Sequence, residues 1–160
     1  MLIQFPYTQS YLWTALESGP LLLEHLLRDL RDDEADHLPD PERFTIREIV
    51  AHLADWDAIY LERMRRTVAQ EHPVLPGYDP GVVALENGYA QRDVREQLGL
   101  FRQRRAELLA FLRSCGEEDW ERVGDRSPDI GLISLGDQAL LVPLHDAYHL
   151  QQIVEWRGVV

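Results

Sequence analysis

Four stretches of this chain space their apolar residues three and four apart. None alternates β-branched and polar residues two by two for long enough to compete, so the chain is committed to packed helices. The clearest stretch follows Phe44, where Ile46, Ile49, Val50, Leu53, Trp56, Ile59, Tyr60 and Met64 share one face. Thr45 and Glu48 have the T-x-x-E spacing of a capping box, which starts this helix at Thr45. It is expected to end near Ala69, before His72-Pro73.

The block from Tyr7 to Arg31 also reads as helical, with a break at Gly19-Pro20. Proline suits a first turn, so the main helix is expected to begin near Pro20 and to present Leu22, Leu23, Leu26, Leu27 and Leu30. A third long helix runs over Arg92 to Ser114, with Val94, Leu98, Phe101, Leu108, Leu109 and Leu112 inward and Gly116 as its cap. The last starts at Ser134, with Asp137 in a capping position, and passes Trp156 and Arg157 before Gly158. Pro143 is expected to kink it.

Between these lie a polar loop at Asp32 to Arg43 and a Pro- and Gly-rich connection at Glu71 to Gly81. Val82 to Tyr89 reads as a short helix, and Glu117 to Gly131 as a second irregular connection. A compact antiparallel pair does not require connections this long. The fold class expected is all-α: a four-helix bundle with long irregular connections after its second and third helices. At 160 residues and 18.6 kDa, one domain over residues 1–160 is expected.

Charge narrows the function. Sixteen basic and 28 acidic residues leave a net charge of −12, which argues against nucleic acid as a main partner, and an anionic membrane face would repel the chain. No apolar run is long enough for a membrane helix, and the N-terminus lacks the features of a signal peptide. The expected location is the cytoplasm. Every basic residue is an arginine, which excludes a Schiff-base lysine, a pyridoxal phosphate anchor and a Walker A lysine. Cys115 is the single cysteine, so an intrachain disulfide and multi-cysteine zinc motifs are excluded. As a nucleophile it has no base partner near it in sequence.

His145 and His149 are spaced i, i+4, which on a helix stacks both imidazoles on one face within reach of one metal ion. His52 lies on or beside the apolar face of the second long helix. Spacing alone leaves two readings open: core or surface histidines, or a tri-histidine metal site with free coordination positions. His25, His37 and His72 fall outside the pattern and read as surface residues. Glu34 and His37 form an E-x-x-H in a polar loop, where a di-iron bundle site would need two on helices.

Several motifs decide between these readings. In order they are T45-I-R-E-I-V-A-H52-L-A-D55-W, R-A-E-L-L in the arginine-rich third helix, D119-W-E-R, L-I-S134-L, and H145-D-A-Y-H149-L-Q-Q152-I. Together they span nearly the whole chain, which resembles the DinB/YfiT-like family of four-helix-bundle metalloproteins. That family is distinct from the DNA polymerase sharing the DinB name, whose size and basic cleft are absent here. The resemblance implies that His52, His145 and His149 bind one divalent metal. Zinc or nickel is expected, since imidazole suits both.

Helix phase adds neighbours. Asp55 and Glu48 could approach the face of His52, and Gln152 that of His149. Asp55 and Gln152 are the candidates for proton transfer or substrate contact. Against that, Glu48 fits the capping box, Asp55 fits a solvated or salt-bridged carboxylate, and Trp56 and Tyr148 fit core aromatics. Three neutral ligands favour anions in the open positions, either hydroxide for hydrolysis or thiolate for attack on an electrophile. The resemblance favours the second: an S-transferase in detoxification or stress response, using a low-molecular-weight thiol and working as a homodimer. A non-catalytic metal-containing binding module and a metal-dependent hydrolase are the alternatives.

Overall fold

Free amides at helix starts need acceptors, and side chains placed just outside the helices supply them. The computed structural model describes residues 6–158, and among these the elements are α1 (Pro6–Leu26), α2 (Asp32–Ala35), α3 (Ile46–Ala69), α4 (Pro80–Glu86), α5 (Val94–Ser114), β1 (Val123–Asp125), β2 (Leu132–Ser134) and α6 (Leu135–Trp156). Thr45 caps α3 as the box requires: its hydroxyl accepts from the Glu48 amide, and the Glu48 carboxylate accepts from the Thr45 amide at 2.9 Å. Asp93 caps α5 by accepting from the amides of Arg95 and Glu96, and Ser134 caps α6 by accepting from that of Asp137.

Four expectations are corrected. Helix α1 is not broken at Gly19-Pro20 but runs through both. Pro20 has no N–H for the carbonyl of Leu16, and that carbonyl instead accepts from Arg105 Nη1 at 2.8 Å. Gly116 is not a left-handed cap; its φ is −76°, and α5 ends through Cys115, whose amide reaches the Leu112 carbonyl. The polar loop holds the short α2. The second irregular connection holds a 3-10 turn and a two-stranded antiparallel hairpin pairing Val123 with Ser134. Strands of three residues are too short to show a period in sequence. Helix α6 runs from Leu135 to Trp156 with Pro143 inside it, as its sequence implies.

The long helices α1, α3, α5 and α6 form the bundle, with α3 against α5 and α6, and α1 against α5 and α6. The apolar core falls into two clusters. One gathers Leu23 and Leu27 of α1 and the following turn with Ile49, Leu53, Leu98, Phe101 and Ile153. The other gathers Leu12 and Leu16 with Met64, Leu108, Leu112 and Val142. Along every helix the boundary between them falls at the same level, and there a buried ionic layer crosses the bundle. Arg105 of α5 donates to both oxygens of Asp57 on α3, at 2.7 and 2.9 Å, and to both of Asp146 on α6, at 2.7 and 3.0 Å. All three are nearly sealed from solvent.

Gly19 lies against this layer. A methyl group there would stand 2.3 Å from Asp146 Oδ2 and 3.0 Å from Arg105 Nη1. Gly99, on the exposed side of α5, has nothing within 4 Å of such a methyl. Gly19→Ala should therefore cost about 1–3 kcal/mol through overpacking. Gly99→Ala should add about 0.5–1 kcal/mol through helix propensity. Urea midpoints of the two variants check this, and shifts of the same sign would contradict it.

Candidate metal centre

His52 lies in the second turn of α3, while His145 and His149 are one turn apart on α6, facing it. One nitrogen from each ring falls within a 4.8 Å cluster, and His52 Nε2 lies 2.9 Å from His145 Nε2. His52 and His149 are buried and His145 is half-buried. Among the described residues no other group of three or more His, Cys, Asp or Glu side chains converges in this way.

The ring environments favour neutral imidazole. Burial, with His145 and His149 adding to it, pushes the His52 pKa down to about 2. Burial also brings His145 down to about 3, helped by His149 and Arg105, and His149 down to about 4 against an opposing contribution from Gln152. Nδ1 of both His52 and His149 is buried with no hydrogen-bond partner. Two facing imidazole nitrogens can share one proton; a third lone pair brought to the same spot has no donor to accept from. A cation satisfies all three at once, so the donor set fits a divalent metal with imidazole ligands.

These side chains line a cavity of about 480 Å³ together with Arg43, Phe44, Trp56, Tyr148 and Gln152. The Trp56 ring lies over His52 with centroids 4.1 Å apart, and Tyr148 meets His149 edge-on at 5.0 Å. Tyr148 is exposed, so it belongs to the rim of the site rather than to the core; Trp56 is buried but also walls the cavity. Arg43 packs its guanidinium 4.6 Å above the Trp156 ring and pairs with Glu155 at 3.0 Å.

The remaining candidates are placed differently from the expectation. Asp55, though one turn from His52, spends both oxygens elsewhere. Oδ1 accepts from Arg104 at 2.6 Å and Arg92 at 3.4 Å, and Oδ2 from Asn87 at 2.8 Å. Opposed by burial, these partners hold its pKa below the usual carboxylate range. It is a structural ion-pair residue rather than a proton acceptor at the histidines. Glu48 is occupied by the α3 cap. Gln152 lines the cavity, but its Nε2 donates to the Phe44 carbonyl at 2.9 Å. His25, His37 and His72 are exposed. The Cys115 thiol bonds to the Phe111 carbonyl, and burial pushes its pKa up, opposite to what a nucleophile requires.

Sequence reasoning passed over Arg43, Phe44 and the Arg105 layer. For Arg105 a signal existed: Leu98, Phe101, Arg105, Leu108 and Leu112 keep helical spacing, so a charge occupies a core position.

Residues 15–153 match the sequence model of the DinB superfamily, and the chain belongs to that family. A protein of Oceanobacillus iheyensis, described by name as an inferred metal-dependent hydrolase, is 27% identical over 138 residues, covering 86% of this chain and 79% of its own. YfiT of Bacillus subtilis, described in the same terms, is 26% identical over 141 residues, or 88% of this chain and 79% of its own. The solved structure of YfiT, titled a probable metal-dependent hydrolase with an unusual four-helix bundle topology, superposes with a TM-score of 0.88. It covers 95% of this chain and 87% of its own at 21% identity. A metal site is supported by the three-histidine cluster and by the metal dependence named in these relatives. No helix among the described residues is long and apolar enough to cross a membrane.

The lowered histidine pKa values carry a stability consequence. Unfolded imidazoles take up protons near pH 6.5 and the folded ones do not, so unfolding binds protons and metal-free stability is lost as pH falls below about 7. Asp57, raised to about 6 by burial against the pull of Arg105, and Asp146, also raised by burial, act in the opposite direction as the pH falls through the acid range. In the presence of a chelator, the Tm should rise steadily from pH 5.5 to pH 7.5. A flat or falling profile would contradict the neutral, buried assignment.

Proposed function

We propose that this protein is a divalent-metal-dependent enzyme that transfers the sulfur of a small thiol to an electrophile. His52, His145 and His149 are the metal ligands in this reading, and zinc or nickel is the metal. The observation that carries it is the convergence of three neutral imidazoles, with no carboxylate among them, on a cavity of about 480 Å³. A bound dication supplies Lewis acidity that lowers the pKa of a thiol or a water in its free positions. The volume is many times the roughly 30 Å³ share of one water, which leaves room for more than a single bound water at the histidines. That room supports an enzyme with two substrates over a module that only sequesters a metal. In the transfer, the thiol gives up its proton to solvent water, the thiolate sulfur bonds to the electrophilic carbon, and the leaving group departs as an anion with the electron pair of its bond to that carbon. Phe44, Trp56 and Tyr148 offer an apolar wall for the acceptor, and Arg43 a cation at the same cavity.

Hydrolysis is the second reading, supported by the names of the two relatives. One experiment separates them. Metal-loaded protein is given a panel of small thiols with an aryl halide acceptor, and in parallel a panel of esters and amides without thiol. Thiol consumption that needs the metal and falls about 100-fold or more in His52→Ala is expected. Hydrolysis without thiol would replace this reading with the second. Inactivity on both panels with no thiol binding would remove both.

A further inference from the structure

Two arginines are buried among the described residues, and their surroundings are opposite. Arg105 sits between two carboxylates. Arg63, on α3 and only 7% exposed, has no carboxylate within ion-pair distance among the described residues. Its Nε and Nη2 donate to the carbonyl of Pro76, at 3.1 and 2.6 Å, and Arg126 Nη1 donates to the same oxygen at 2.7 Å. One carbonyl has two lone pairs, so three charged N–H groups exhaust it. Nη1 of Arg63 has no acceptor among the described residues and is open to solvent. The acid nearest Arg126 is Asp129, at 3.5 Å on a largely exposed side chain. Two guanidiniums are thus held together around a neutral oxygen, in a chain whose net charge is −12. Burial and the charge of Arg126 both push the Arg63 pKa down, as expected for a cation lacking its counterion.

Both arginines line a second cavity, of about 210 Å³, whose other walls include Tyr60, Tyr78, Ile133 and Leu141. We propose that this cavity binds a small molecule carrying a carboxylate on an apolar body, with the carboxylate seated on Arg63 and Arg126. A planar carboxylate matches the guanidinium fork, accepts its spare N–H groups and neutralises the pair. The apolar body takes the tyrosine- and aliphatic-lined remainder. Trp56 and Pro80 line this cavity and the histidine cavity alike, so the bound molecule lies beside the metal centre, with Trp56 between them. The inference rests on the arginines and stands whether or not the histidines hold a metal.

Titration of isotopically labelled protein with benzoate, following the Nε–H resonances of Arg63 and Arg126, tests it. Benzyl alcohol supplies the same body without charge, and inorganic phosphate a charge without the body. Saturable shifts of both resonances with benzoate are expected, with each control at least about 10-fold weaker. Arg126→Gln should weaken benzoate about 10-fold or more with its circular dichroism unchanged. No saturable response to benzoate, an equal response to either control, or unchanged affinity in Arg126→Gln would overturn the proposal. Should Arg126→Gln fail to fold, the three titrations of the unaltered protein still decide.

Discussion

A guanidinium buried between two carboxylates sets the register of this bundle. Apolar faces slide past one another at modest cost, but Arg105 reaches Asp57 and Asp146 in one mutual placement of α5, α3 and α6. Its remaining N–H ties in α1 through the Leu16 carbonyl that Pro20 leaves free. Two apolar clusters lie on either side of this layer. Such a layer contributes little net stability over an apolar one, yet removing one partner typically costs about 3–5 kcal/mol because a charge is stranded. Its value here is positional.

The histidines inherit that position. Asp146 follows His145 directly, and Asp57 lies little more than a turn beyond His52, so the same contacts that fix α6 against α3 bring the three rings together. Around them the bundle places aromatic walls, with the exposed Glu42 the one carboxylate lining the cavity, and the nearest acid on α3, Asp55, is held away by Arg104, Arg92 and Asn87. The outcome is a donor set without charge of its own, buried enough to keep every imidazole neutral near pH 7.

Much of this was legible in the sequence. The capping box at Thr45 and Glu48 located the start of α3, and the i, i+4 spacing placed His145 and His149 on one face, because both are local rules of helix geometry; that His52 joins them came from the family resemblance. What escaped depends on contacts distant in sequence. Pro20 reads as a helix start because nothing local reveals that Arg105, 85 positions later, bonds the carbonyl it frees. Asp55 shares a helix face with His52 in projection, but three partners on other segments decide where its carboxylate goes. Strand β1 is held by its pairing with β2 and by the Val74–Asp125 bridge, neither of which has a periodic signature.

Metal content per chain, measured by mass spectrometry on tag-free protein beside His52→Ala and His149→Ala, tests the three-histidine centre most directly. About one zinc or nickel per folded chain, lost in both variants while their helical circular dichroism persists, is the predicted result. A metal retained in both variants, or no uptake by the folded unaltered protein when either ion is supplied, would contradict it.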